Sequence, residues 1–132
     1  MFRWTICEPF NPKVIEKGAI EHGKIIETFE NYPWDSELEK VRAKPEEIDY
    51  SPSVEFINES NGSSIIFSIV EKGNDSEFMV FHIVKKTVKG FLGFGTKEIK
   101  DHSEVYLDHQ RALTALKAFI YDKTTELNKI FW

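Results

Sequence analysis

The chain has 132 residues, room for one compact domain and not for two. With 41% apolar and 30% charged residues it is composed like a soluble globular protein, able to bury a core without metal or disulfide; its eleven Phe make that core largely aromatic. A net charge of −5 argues against nucleic acid as a partner, and the lone Cys7 excludes an internal disulfide.

The N-terminal MFRWTICEPF lacks the apolar stretch of a signal peptide, and no apolar run approaches the roughly twenty residues of a membrane helix. The expected setting is therefore the cytoplasm. Phe2, Trp4 and Ile6 alternate with the period of a short strand, which Glu8-Pro9-Phe10-Asn11-Pro12 interrupts. Residues 13–31 admit two readings. Ile25, Ile26 and Phe29 suit a helical turn, whereas a turn at Glu21-His22-Gly23 makes 24–29 a strand. From Asp35 a helix is expected, with Asp35 or Ser36 as its cap and Leu38 and Val41 as a thin apolar stripe. Pro45 limits it, because the residue before proline avoids helical geometry.

Residues 53–59, 64–72 and 77–86 are rich in β-branched and aromatic residues and are separated by the turn signals Asn61-Gly62 and Gly73-Asn74-Asp75. They form an antiparallel meander. Ile65, Phe67 and Ile69 alternate with Ile66 and Val70, and Met79, Phe81 and Ile83 with Phe78, Val80 and Val84, so both faces of this sheet are apolar. Such a sheet is covered by helices on both sides, or by helices on one side and a partner on the other.

The string KGFLGFGTKE, residues 89–98, has the glycine spacing of a phosphate loop at Gly90 and Gly95. Thr96-Lys97 stands in the reverse of the order that chemistry needs, and no helix pattern follows, so residues 87–100 read as an irregular hairpin. Its expected tip is basic and aromatic: Lys89, Phe91, Phe94 and Lys97. Beyond it, Asp108 caps a helix whose stripe is Leu113, Leu116, Phe119 and Ile120, continued by Leu127, Ile130 and Phe131 after a polar patch that splits it. The fold class is α+β. A single domain, residues 1–132, sets a meander over about 53–100 against a C-terminal helix over about 109–131 and one or two N-terminal helical segments.

No catalytic motif emerges. His102 and His109 lack metal-ligand spacing, Ser63-Ser64 lacks the context of a nucleophile elbow, and no cofactor or metal is expected. Charge is uneven. From Glu27 to Glu59 ten acids face only Lys40, Arg42 and Lys44, while Lys85 to Lys100 holds five lysines against Glu98. Within the acidic stretch lie aromatic residues, the combination a protein-binding patch uses: anchors for affinity, charges for steering. The expected partner-binding residues are Tyr32, Trp34, Asp35, Glu37, Glu39, Glu46, Glu47, Asp49 and Tyr50. The expected function is a non-catalytic protein-binding module. In type it resembles bacterial immunity proteins, whose acidic surfaces neutralise basic toxins. The alternative is a small-ligand or enzymatic domain with an apolar pocket lined by Phe67, Phe78, Phe81 or Met79, in which His82 is the polar contact.

Overall fold

The computed structural model describes residues 1–89 and 95–132, with the side chains of 87–89, 96 and 97 also outside the description. The described residues form one six-stranded antiparallel sheet with four α-helices. In chain order the elements are β1 (Phe2–Cys7), β2 (Ile15–Ile20), α1 (Ile25–Asn31), α2 (Trp34–Ala43), β3 (Ser53–Asn58), β4 (Ser63–Lys72), β5 (Asp75–Lys89), β6 (Thr96–Leu107), α3 (His109–Ile120) and α4 (Thr124–Phe131). The strand order is β2-β1-β3-β4-β5-β6. No helix among the described residues is long and apolar enough to cross a membrane.

The meander is therefore longer than its apolar core suggests. β6 runs to Leu107, and β1 and β2 add two strands beside β3. Of the two readings of residues 24–29 the helical one holds, as α1; the strand of this stretch lies earlier, at Ile15–Ile20, and pairs with β1. The β4–β5 connection is a two-residue turn, Gly73-Asn74, closed by the Lys72–Asp75 pair; Gly73 takes φ +60°, which glycine adopts without strain. α2 starts one residue before the expected caps: Pro33 is its N-cap, and no side chain caps it. It ends at Ala43, before Pro45. Asp108 does cap α3, accepting from the Arg111 N–H at 2.8 Å.

All four helices lie on the same face of the sheet. That face carries Phe2 and Ile6 from β1, Val54 and Phe56 from β3, Ile65 and Phe67 from β4, and Phe78 and Val80 from β5, all buried. Phe29 of α1 meets Phe67 at 4.7 Å and Phe78 at 5.4 Å between ring centroids, and Phe119 of α3 meets Phe2 at 6.1 Å. α3 buries Leu116, Phe119 and Ile120 along one stripe, each contributing roughly 1.5–3 kcal/mol. The expected second helix layer is absent among the described residues, because the N-terminal helices pack beside α3 and not across the sheet from it.

Among the described residues, the opposite face is bare. In register across the strands it presents Arg3, Ile57, Ser64, Ile83 and His102, and in the next row Thr5, Glu55, Ile66, Phe81 and Glu104. Ile57, Ile66, Met79, Phe81 and Ile83 are half-buried there among shorter polar neighbours. Cys7 stands on this face too, half-buried and with a free thiol.

Candidate functional site

The acidic stretch folds into α1, α2 and the loop 44–50. That loop is tied to the chain's first turn, as the Asp49 N–H donates to the Pro9 carbonyl at 2.6 Å. Asp35, Glu39, Glu46, Glu47, Asp49 and Tyr50 are exposed. Two of these five carboxylates are locally matched: Glu39 pairs with Arg42, and Glu47 with Lys44 at 3.8 Å. Exposed pairs of this kind contribute little to stability, but they lower the field a partner meets.

Two of the expected contact residues lie inside. Trp34 is 6% exposed; its indole N–H donates to the Phe29 carbonyl at 2.8 Å and its ring packs edge-on against Phe78 at 4.9 Å. It is a core residue with a satisfied polar tip, not an exposed anchor. Glu37 is also 6% exposed. Its Oε1 accepts from Lys40 Nζ at 2.8 Å, and its buried Oε2 has no hydrogen-bond partner among the described residues. The arrangement reaches Tyr32. Burial first, then the charges of Glu37 and Glu8, push the phenol of Tyr32 up to about 12. Glu8 was not singled out by sequence. It stands among turn residues far from the acidic stretch in the chain, and only the fold brings it near.

Between the α1–α2 junction and the start of α3 lies a cleft of about 300 Å³. Tyr32, Trp34 and Phe78 line it as aromatic wall, with Glu30 and Asp35 as its acids. Neither carboxylate takes part in an ion pair among the described residues. Glu30 is a further residue that sequence reasoning passed over; its spacing from Tyr32 and Asp35 becomes informative only once the chain turns at Pro33.

The pocket imagined around His82 does not form as expected. Phe67 and Phe78 are packed in the core, while Met79 and Phe81 project from the bare face, so the sheet itself separates them. His82 is 4% exposed and lies beneath Phe119 and Phe131. Its Nδ1 accepts from the Trp132 indole N–H at 3.2 Å, which fixes the neutral tautomer with the proton on Nε2. Burial lowers its pKa below 6.5. The space beside it is about 120 Å³, and polar Asn61, Ser63, Asp122 and Asn128 line it together with apolar Val84, Phe119 and Leu127. Among the described residues, no three His, Cys, Asp or Glu side chains are grouped to hold a metal. The expected basic tip, Lys89, Phe91, Phe94 and Lys97, lies outside the described residues and side chains.

Comparison of the chain with protein-family models, with curated proteins and with solved structures finds no match.

Proposed function

We propose that the protein is a non-catalytic protein-binding module, of the immunity-protein type, whose acidic helical surface docks a basic protein such as a cationic toxin. The observation that carries this reading is the cleft at the α1–α2 junction, where the unpaired carboxylates of Glu30 and Asp35 flank the aromatic wall of Tyr32, Trp34 and Phe78. Carboxylates beside the half-buried ring of Tyr32 suit a Lys or Arg side chain, which gains from both the charge and the ring face. The exposed acids of the 44–50 loop, Glu46, Glu47 and Asp49, add a field that speeds the approach of a positively charged partner.

The test is affinity capture from the protein's own cells with the parent chain and with a variant carrying E30Q, D35N, E46Q, E47Q and D49N. The reading expects a captured protein of high positive charge, released by salt, and lost with the neutralised chain although that chain still folds. A captured partner that ignores both salt and the substitutions would sink the acidic surface as the docking site.

A further inference from the structure

We propose a second site, on the bare face of the sheet, that binds an oxyanion: the phosphate or carboxylate group of a ligand, held by Lys85, Lys100 and Arg3. It is independent of the acidic surface, which lies with the helices on the other side of the sheet.

Lys85 of β5 and Lys100 of β6 are direct cross-strand partners on that face. Like charges placed opposite one another destabilise a sheet. The adjacent positions show how the same two strands handle a lysine elsewhere: Lys86, on the helix face, pairs with Asp101 at 2.9 Å and its ammonium lies 5.5 Å from the Trp132 ring centre. Lys85 and Lys100 have no ion-pair partner among the described residues. Among the described side chains of residues 85–100, the two lysines without an ion pair, Lys85 and Lys100, both stand on the bare face.

These lysines border a cleft of about 300 Å³ that also takes in Arg3 from β1. Lys85 is positioned by the turn between β3 and β4. A Cβ on Gly62 would fall 2.6 Å from Lys85 Cδ and 2.9 Å from its Nζ, so the side chain lies flat against the glycine backbone. Gly62 also has φ +72°, which disfavours any side chain there. The turn therefore keeps the lysine stem laid across it. Arg3 gives one N–H to Glu16 at 2.9 Å, and a guanidinium carries five donors. Ser64, 5% exposed, stands between Ile57 and Ile83 on the cleft floor. Glu55 and Glu59 also line the cleft, and Glu16 holds Arg3 from outside the lining, so the cations free of an ion pair among the described residues are Lys85 and Lys100. That pair suits a single oxyanion on a ligand with an apolar part. It disfavours a polyanionic backbone, which needs a run of unopposed cations.

Amide NMR titrations with inorganic phosphate and, separately, acetate at constant ionic strength test the site. Saturable shifts centred on Gly62, Ser64, Ile83, Lys85 and Lys100 are expected with at least one anion, and which anion saturates identifies the group. The K85Q/K100Q double variant, with its fold checked by circular dichroism, should bind about tenfold more weakly or worse, as two charge-assisted contacts are lost. No saturation with either anion, or saturation unchanged in the double variant, would overturn the proposal. A second readout concerns the frustration between the lysines. Without anion, K100Q alone should raise Tm by about 1–3 °C, because it relieves a like-charge cross-strand pair. A lower Tm would show the pair to be at ease with itself and would overturn the argument from strain. Neither outcome bears on capture of a basic protein, so the two proposals fail separately.

Discussion

The two faces of the sheet are built from nearly the same residue types and do opposite things. On the helix face, Phe56, Ile65, Phe67 and Val80 are fully buried under four helices. On the bare face, Ile57, Ile66, Phe81 and Ile83 occupy the same strands, one position along, and are only half-buried. Apolar content therefore does not decide which face becomes core. The helices decide it, through stripes that can close over only one side. What the bare face gains in exchange is a place where Lys85 and Lys100 stand beside an apolar floor without an ion pair among the described residues, with Arg3, paired to Glu16, next to them.

The contrast predicts its largest effect at two phenylalanines on neighbouring strands. Phe67→Ala should cost about 3–5 kcal/mol, because it opens a cavity under Phe29 and Phe78 that packed neighbours cannot fill. Phe81→Ala, on the bare face, should cost about 1–2 kcal/mol, the loss of partial burial without an enclosed void. Urea denaturation of both variants measures the difference. Equal costs would mean that something covers the bare face in solution.

The residues that sequence pattern made legible are those with a strong period. The alternation in β4 and β5 and the stripe of α3 identify strands, turns and helix, and Asp108 announces its own cap. β2 and β6 are harder to read for a physical reason: both are edge strands, and edges carry charge that discourages pairing with other chains. Glu16 and Lys17 in one, and Lys100, Asp101 and Glu104 in the other, hide the strand signal. Trp34 reads as an anchor because acids surround it in sequence, yet helical geometry turns it inward while Asp35 and Ser36 face water. The meeting of Glu8 with Tyr32, and of Lys85 with Arg3, depends on strand order, which no local window contains.

The next effect isolates the closure of the helix face by α4. Trp132→Phe removes the donor to His82 Nδ1 and should cost about 1 kcal/mol. The pH dependence follows from the same pair. The pKa of His82 is lower folded than unfolded, so the unfolded chain takes up a proton first. This contribution to stability is complete above about 6.5 and declines as pH falls through the folded value. Denaturation midpoints measured on either side of that point should show the decline in the parent chain. His82→Phe, which has nothing to protonate, should lack it.

Tyr32 gives the alkaline counterpart on the acidic surface. Its phenol is raised to about 12, so the neutral form is favoured by folding and the contribution is lost as pH rises from the ordinary 10.0 through that value. Absorbance titration of tyrosinate should show one of the four tyrosines ionising late. In Tyr32→Phe the late step should disappear. Glu37→Gln should bring it to lower pH, because the charge of Glu37 is the second cause of the shift after burial. An unchanged late step in that variant would remove Glu37 from the account of Tyr32.

The smallest effect belongs to the ion pair of Arg3 with Glu16, which sits on the bare face at 2.9 Å with side chains 39% and 56% exposed. Water screens both partners, and each side chain loses rotamer freedom by meeting the other, so a double-mutant cycle should return about 0.2–1 kcal/mol. At about 1 M salt the Debye length falls to about 3 Å and most of that coupling should vanish. A larger, salt-resistant coupling would place the pair in a drier setting than a bare face provides. The same result would leave Arg3 committed to Glu16 and take it out of the oxyanion site, with Lys85 and Lys100 left to hold the anion alone.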